Sequence, residues 1–379
     1  MFGDRFAYHR FEVNQNFGPA CNFGAQQATT PYVLFLNNDT QVRPGWLAPL
    51  VDTMESTPKT GAVGPLLIFP DNRVQHLGVT YYVGCGAAHL FNRIPADHPL
   101  AKKQRSLQAI TGAALLIRTA LFKECGEFHP GYKNGCEDLD LCCQLDKRGL
   151  TMHSVPQSVV VHYEGMSRKG SPTENHNFSL FKQRCGSHIR PDIYDHATVE
   201  GMEIRFGRPA HIFIAETQAT SKRLMAANWD GRNLLRLWEA VERHILWEEG
   251  YQMLGSMLEQ TQSWDEAVFI RYWQNMFFPR VENAVALHKL ARTAGRTDIL
   301  ESAEDLLAMH AGMQNNTAFK RNVLQDHIVF FKARGENEQA AVFERELARL
   351  GLTSRLPDAT SPQDGRSGSA AANGQSDKS

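Results

Sequence analysis

The chain has 379 residues, enough for two domains, and its 40 Lys and Arg residues nearly balance its 41 Asp and Glu residues. So small a net charge gives no general attraction to nucleic acid or to an anionic membrane, and we expect no nucleic-acid partner. The seven cysteines are odd in number and lack Cys-x-x-Cys spacing, so they suggest neither a disulfide framework nor a zinc site and fit a reducing cytoplasm.

Short apolar runs alternate with Gly, Pro and Asn turns in residues 1–200, and five of these runs predict strands. They are "YVLFL", "GAVGPLLIF", "GVTYYVG", "ITGAALLIR" and "SVVVHYE". Strands interleaved with a few helices indicate an α/β domain with a mixed sheet. The first run, Tyr32 to Leu36, is continuous and of strand length, so we expect it to be buried on both faces as in a parallel sheet.

A polar cluster, Asn37, Asn38 and Asp39, follows that first strand directly. Ligands bind beyond the carboxyl ends of strands in open α/β sheets, so the cluster is placed for chemistry. The alternative is an Asx turn that leads into Pro44 and Gly45, because Asn and Asp favour turns.

Helical periodicity replaces the strand pattern in residues 201–353. Leu234, Trp238, Val241 and Ile245 form the apolar stripe of one amphipathic helix. Similar segments around Gly295 and Gly335 suggest two imperfect copies of a tetratricopeptide-like helical hairpin, with an ordinary helical bundle as the alternative. Residues 354–379 are rich in Ser, Gly, Ala, Asp and Pro and are expected to be disordered.

The sequence also predicts how the chain relates to membranes. No apolar stretch reaches the roughly 20 residues that span a bilayer. The amino terminus, "MFGDRFAYHRF", lacks the apolar core of a secretory signal. We therefore expect a cytoplasmic protein, with peripheral contact at the inner face of the membrane as an option.

Four segments of the first 170 residues carry the polar residues of interest. They are "NQNFGPACNFGAQQA", "LNNDTQVRPGWL", "AITGAALLIRTALFKECGEFHPGYKNGCEDLDLCCQLDKRG" and "VVVHYEGMSR". In this order and spacing they resemble the family 2 glycosyltransferases of the GT-A fold, especially the bacterial rhamnosyltransferase-like branch that builds surface polysaccharides. The resemblance implies a GT-A, nucleotide-diphospho-sugar transferase-like mixed sheet domain in residues 1–200, followed by an all-α domain.

The resemblance also implies catalytic residues in "GCEDLDL". Asp138 matches the family's catalytic base, and Glu137 beside it is expected to bind or orient the acceptor. A helix that begins there would hold the carboxylate of Asp138 ionised through its amino-terminal dipole. The alternative is that Glu137, Asp138 and Asp140 are first-turn acids that only stabilise the helix.

A divalent cation, Mg²⁺ or Mn²⁺, is implied by the same resemblance. Asp39 matches the last acid of the family's metal motif, and a carboxylate oxygen suits either ion. His162, at the end of "SVVVH", matches a family histidine that supplies a second contact to metal or phosphate. The alternative for His162 is a purely structural role at the end of its strand.

Seven further residues are expected at the substrates on the strength of the resemblance. They are Asn37, Asn38, Trp46, Gln75, His76, Thr111 and Gly112. The two asparagines are placed near the ribose or sugar, and Gly112 lets the backbone approach a substrate closely. The alternatives are that Trp46 is a core residue and that Gly112 only relieves crowding in a packed strand.

The chain begins at what corresponds to the segment after the family's opening strands. A sheet without those strands is expected to have an exposed edge and half a nucleotide pocket. A start codon placed too far downstream, a truncated relic gene, or completion of the site by another chain would each explain this beginning.

The function expected from the resemblance is inverting, hexosyltransferase-type sugar transfer from a nucleotide diphosphate donor. The acceptor would be a hydroxyl of a glycan or a lipid-linked acceptor in surface polysaccharide synthesis. The alternative is an inactive relative that binds protein partners through its helical half. Nucleotide diphosphate binding that depends on Mn²⁺ would separate the two, because only the enzyme needs it.

Overall fold

The computed structural model describes residues 6–163, 173–207, 212–229, 233–314 and 316–352. The tail expected to be disordered, residues 354–379, lies outside the described residues. So does the part of the fourth motif that follows Tyr163.

In the described residues of its first half, the chain forms a sheet region with nine strands. They are β1 (Tyr32–Leu36), β2 (Thr40–Val42), β3 (Thr60–Ile68), β4 (Val74–His76), β5 (Val79–Tyr81), β6 (Ala87–His89), β7 (Arg105–Leu107), β8 (Ala114–Arg118) and β9 (Thr151–His162). All five apolar runs singled out in the sequence contain a strand. Seven of the strands form one sheet, whereas β5 and β6 form a separate pair.

The main sheet has the order β1-β8-β3-β9-β2, with β4 added to β3 and β7 to β9. β3 and β9 run parallel, while each of the other recorded pairs is antiparallel. Every residue of β3 is buried, and so are most residues of β9, because helices cover both faces of the sheet. The mixed α/β fold is therefore confirmed.

The expectation for Tyr32 to Leu36 was wrong in its detail. β1 pairs antiparallel with β8 and stands at the end of the described sheet. Its first three residues are half-buried, Phe35 is buried and Leu36 is exposed. A continuous apolar run reports hydrophobicity, but it fixes neither the direction of a strand nor the number of its neighbours.

Six helices and a 3-10 turn (Pro99–Lys102) accompany these strands. The helices are α1 (Phe17–Gln26), α2 (Leu47–Ser56), α3 (Thr119–Glu124), α4 (Glu137–Asp146), α5 (Glu174–Cys185) and α6 (Ile193–Val199). Alternate residues of β8 face opposite sides: Leu116 packs with Leu50 of α2, whereas Leu115 packs in the cluster that contains Leu141 of α4. The sheet is thus sandwiched between helices.

The remainder of the described chain is a helical region preceded by a hairpin. The hairpin strands are β10 (Met202–Phe206) and β11 (Ile212–Glu216). The helices are α7 (Gln218–Met225), α8 (Leu234–Arg243), α9 (Glu248–Gln260), α10 (Trp264–Phe277), α11 (Val281–Thr293), α12 (Thr297–Gln314), α13 (Thr317–Ala333) and α14 (Asn337–Arg349). The helical region was expected and the hairpin was not. Within the described residues, no helix is both long and apolar enough to cross a membrane.

Three helical hairpins in this region share one turn geometry. The residues Gln262, Gly295 and Gly335 are all left-handed, with φ of 57°, 67° and 76°. In each turn the next residue donates its N–H to the carbonyl five positions earlier, as Ser263 does to Leu258 at 2.9 Å. The α9–α10 turn has Gln where the other two have Gly, so the sequence revealed only two copies.

One hydrophobic core joins the helical region to the sheet region. It contains Leu66 and Leu90 from the sheet side and Leu254 and Phe278 from the helical side. The guanidinium of Arg73 also lies 3.4 Å from the ring centroid of Trp273. The composition changes near residue 200, but the packing is continuous across that boundary.

The shared turns generate a stability prediction. Gly335→Ala should lower the free energy of unfolding by about 1 kcal/mol, because a Cβ at this position has open space around it but the backbone is left-handed. Gln262→Gly should raise it by up to about 1 kcal/mol, since Gly relieves the same strain. Urea denaturation of both variants measures the effect, and shifts of equal sign would contradict it.

Candidate active site

The sheet brings the polar segments of the sequence to one of its edges. β1 and β9 end at this edge, and β2 and β8 begin there, as their pairings require. Thr40 is paired with His162 across β2 and β9. The backbone N–H of Asn37 donates to the carbonyl of Ala113 at 2.9 Å. Residues more than a hundred positions apart therefore meet here.

A cleft of about 520 Å³ opens at this edge. The residues that line it are Asn14, Phe17, Asn37, Asn38, Asp39, Thr111, Gly112, Ala113, Asn134, Gly135, Glu137, Asp138 and His162. Eight residues singled out in the sequence are among them. The carboxylates of Asp39 and Asp138 thus share one cleft.

Asp39 and His162 form one wall of the cleft. The Nε2 atom of His162 lies 3.1 Å from Oδ1 of Asp39 and 3.3 Å from the side-chain nitrogen of Asn37. Its Nδ1 atom lies 2.7 Å from the carbonyl oxygen of the Gln75 side chain. The imidazole is therefore held on one side by Gln75 and faces the carboxylate of Asp39 on the other.

A cation at this wall would have few protein ligands. Among the described residues, no group of three or more His, Cys, Asp or Glu side chains is arranged to hold a metal. Asp39 and His162 supply one hard oxygen and one imidazole nitrogen. Mg²⁺ typically takes one or two protein carboxylates and completes its shell with water and substrate phosphate oxygens, so the donor set fits a substrate-bridging divalent ion.

Asp138 also lines the cleft, from the first turn of α4. Its Oδ2 accepts the backbone N–H of Gly112 at 2.8 Å, and its Oδ1 accepts that of Leu139 at 2.8 Å. A Cβ at residue 112 would lie 3.3 Å from the Cβ of Asp138 and 3.2 Å from the ring of Phe17. Gly112 therefore allows the backbone to approach the carboxylate of Asp138 closely.

A strained loop places Asp138 at the cleft. Asn134, Gly135 and Cys136, which precede α4, all have positive φ, at 55°, 141° and 70°. Glu137 is buried, and its Oε2 accepts the N–H of Gly135 at 2.5 Å. The carboxylate of Glu137 thus holds the loop that shapes this side of the cleft.

Asp140 has a different role from its two acidic neighbours. It is buried away from the cleft lining and pairs with Arg184, while Gln144 donates to its Oδ1 at 2.7 Å. Burial alone would raise its pKa, but the hydrogen bonds from Arg184 and Gln144 hold that pKa below its usual range. Asp140 therefore fastens α4 to α5, a structural role.

Three residues expected at the sugar lie behind the cleft walls instead. Trp46 packs against the core clusters around Leu50 and Leu67. Gln75 and His76 are both buried in β4. The N–H of Thr111 donates to Nε2 of His76 at 3.2 Å, so His76 supports the backbone next to Gly112 rather than facing the cleft.

Four cleft residues were missed by the sequence reasoning as site residues: Asn14, Phe17, Asn134 and Gly135. The first two lie in the quoted "NQNFG" segment, and the other two form an Asn-Gly turn just before Glu137. The side-chain oxygen of Asn134 accepts the N–H of Phe17 at 2.7 Å. This bond ties the start of α1 to the α4 loop, a pairing that no local pattern signals.

Residues 2–126 match the sequence model described as glycosyl transferase family 2. This part of the chain is therefore similar to that family. The match includes Asp39 and Gly112 and ends before Glu137, Asp138 and His162.

Relatives with known names agree with the family 2 match. The chain is 30% identical over 207 residues to O-antigen biosynthesis protein RfbC of Myxococcus xanthus, covering 47% of this chain and 16% of that protein. It is 27% identical over 155 residues to the N-acetylglucosaminyl-diphospho-decaprenol L-rhamnosyltransferase of Mycobacterium tuberculosis. That match covers 38% of this chain and 50% of that protein. These bacterial relatives support the rhamnosyltransferase-like branch. The chain thus spans from about a sixth to a half of these two curated relatives.

A solved structure is also similar to this chain. It is described as GalNAc-T7 with UDP, GalNAc and Mn²⁺, is 21% identical, covers 46% of this chain and 36% of that one, and has a TM-score of 0.37. A likeness this distant says nothing about the ligands of the present chain.

His76 generates a prediction of pH dependence. Burial, together with His89 and His162, lowers its pKa well below 6.5. The unfolded chain therefore binds a proton that the folded chain does not, and stability falls as pH drops below 6.5, by up to about 1.4 kcal/mol per pH unit. His76→Gln keeps an acceptor for the Thr111 N–H but should reduce this dependence, to which other buried histidines also contribute. Urea denaturation between pH 7 and about pH 5 measures it.

His176, an exposed histidine, offers the matched control. His176→Gln should retain the wild-type slope of stability against pH. An unchanged slope in His76→Gln would contradict the assignment of a buried neutral imidazole to His76.

Proposed function

We propose that this chain is an inverting glycosyltransferase of the hexosyltransferase type. It would move a sugar from a nucleotide diphosphate donor to a hydroxyl of a glycan or a lipid-linked acceptor in surface polysaccharide synthesis. The family 2 match and the names of the bacterial relatives support glycosyl transfer in polysaccharide synthesis. The single observation that carries the finer proposal is the cleft that Asp39 and Asp138 share.

Asp138 is proposed as the general base. Its carboxylate would take the proton of the acceptor hydroxyl while that oxygen bonds to the anomeric carbon of the donor. The bond from that carbon to the diphosphate oxygen breaks on the opposite face, so the configuration inverts. The N–H donors of Gly112 and Leu139 fix the carboxylate, and each of its oxygens retains a lone pair for the acceptor.

Asp39 and His162 are proposed to hold Mg²⁺ or Mn²⁺. Such an ion supplies positive charge to the departing diphosphate. The fit rests on the carboxylate oxygen and the imidazole nitrogen that face each other at 3.1 Å on one wall of the cleft. Asn37 would keep the imidazole in place, since its side-chain nitrogen lies 3.3 Å from the same ring atom.

The remaining cleft residues are proposed to bind the two substrates. The amides of Asn38 and Asn14 can donate to and accept from sugar hydroxyls, and Glu137 would orient the acceptor through the loop that it holds. Phe17 supplies an apolar face beside Gly112. Donor and acceptor would meet between the metal wall and Asp138.

The setting proposed for this reaction is the cytoplasm, with peripheral contact at the inner face of the membrane. A lipid-linked acceptor would require the cleft to reach the membrane surface. The helical region, residues 201–353, is proposed to contact the acceptor or a protein partner. The continuous core between the two regions would keep such a partner in a fixed position relative to the cleft.

The proposed base gives a test of function. Asp138→Asn keeps the shape of the side chain and an oxygen that can accept the Gly112 N–H, but it cannot take up a proton. Release of nucleoside diphosphate from uridine and thymidine diphosphate sugars should fall by about 10²- to 10⁴-fold. Calorimetric binding of uridine or thymidine diphosphate with Mn²⁺ should remain close to that of the wild type.

Asp52→Asn on the exposed side of α2 is the matched control and should change neither quantity. Wild-type turnover in Asp138→Asn would refute the base assignment. Absence of any Mn²⁺-dependent nucleotide binding by the wild type would refute the transferase proposal for this chain and favour an inactive relative that binds partners through its helical region.

A further inference from the structure

Gln75 makes two hydrogen bonds to a single residue, His162. It lies in the middle of β4 and is 3% exposed. Its side-chain nitrogen donates to the backbone carbonyl of His162 at 3.4 Å, and its side-chain oxygen lies 2.7 Å from Nδ1 of the same residue. The backbone carbonyl of Gln75 accepts the side-chain N–H of Asn92 at 2.7 Å, which holds this part of β4 in place.

These contacts fix the orientation of the Gln75 amide. A backbone carbonyl can only accept, so the group that faces the carbonyl of His162 must be the amide NH₂. The amide oxygen then faces Nδ1 of His162. Because that oxygen can also only accept, Nδ1 must carry a hydrogen.

The hydrogen on Nδ1 determines what the other ring nitrogen can do. A neutral imidazole carries one hydrogen, so Nε2 of His162 has a lone pair, and it points toward Oδ1 of Asp39 at 3.1 Å. Two acceptors this close repel each other unless a donor or a cation lies against them; the side-chain N–H of Asn37 is 3.3 Å from Nε2, and a divalent cation would lie against both atoms. Without Gln75 the hydrogen could move to Nε2 and donate to Asp39, a bond that would compete with a cation.

We infer that Gln75 is a positioning residue that selects the Nδ1–H tautomer of His162 and thereby keeps Nε2 and Asp39 open to a divalent cation. This inference rests on the proposed function for the identity of the site, but the tautomer is a property of the metal-free protein. Groups that orient metal ligands typically change metal affinity by about 10- to 100-fold when they are altered.

The tautomer can be measured directly in metal-free protein. Nitrogen-15 spectra of histidine-labelled protein near pH 8, above the ordinary histidine range, distinguish ring nitrogens that carry hydrogen from those that do not. His162→Gln identifies the signals of residue 162. Wild-type protein should show hydrogen on Nδ1, and Gln75→Met should show it on Nε2. Gln75→Glu keeps an acceptor at Nδ1 and should retain the wild-type tautomer.

Mn²⁺ titration provides the second readout, without substrate or turnover. Gln75→Met should bind Mn²⁺ roughly 10- to 100-fold more weakly than the wild type, and Gln75→Glu should bind it at least as well as Gln75→Met. Thermal melting verifies that each variant is folded.

A wild-type spectrum with hydrogen on Nε2 would overturn the inference even if neither variant folds. So would wild-type Mn²⁺ affinity in a folded Gln75→Met. In both cases a wild type that binds Mn²⁺ and nucleotide leaves the proposed function intact. If the wild type shows the expected tautomer but binds no Mn²⁺, the result would instead count against the cation site itself.

Discussion

The parallel pairing of β3 with β9 is the constraint on which the candidate site depends. β8 and β1 follow on one side of β3, each antiparallel to its neighbour, so the carboxyl end of β1 lies at the same sheet edge as that of β9. β2 then pairs antiparallel with β9 and begins at that edge. These strand directions bring Asp39, His162 and the loop before β8 together at this edge.

Helices and buried polar groups hold this edge in shape. α4 begins at the cleft, and the N–H of Gly112 fixes its Asp138. Behind the cleft lining, β4 contributes two adjacent buried side chains, of which Gln75 contacts His162 and His76 contacts Thr111. Buried polar groups without partners are costly, so each of these contacts restricts the geometry of the wall in front of it.

Much of the sheet region could be predicted from sequence because its signals are local. The apolar runs marked five strands, and the polar residues after Leu36 and within "GCEDLDL" marked five of the residues that line the cleft. Thr111, Gly112 and His162 were marked by the other motifs and line it too. Their roles in catalysis remain predictions, since the family match ends before Glu137.

The positions of the misplaced residues depend on strand pairing and packing, which a single sequence does not show. Gln75 and His76 are polar residues of a short strand, and only the pairing of β4 with β3 shows that they lie behind the cleft. Trp46 follows a turn in the middle of a polar motif, yet it packs into the core. The third helical hairpin was hidden because Gln262 takes the left-handed position that Gly usually marks.

The central claim is that Asp39 and His162 form one wall of a cleft whose other wall is Asp138. Anomalous diffraction from a crystal of this protein soaked with Mn²⁺ and uridine diphosphate tests it most directly. We expect one anomalous peak within bonding distance of Oδ1 of Asp39 and Nε2 of His162, with the diphosphate between that peak and Asp138. A peak held by other residues, or a nucleotide bound outside this cleft, would contradict it.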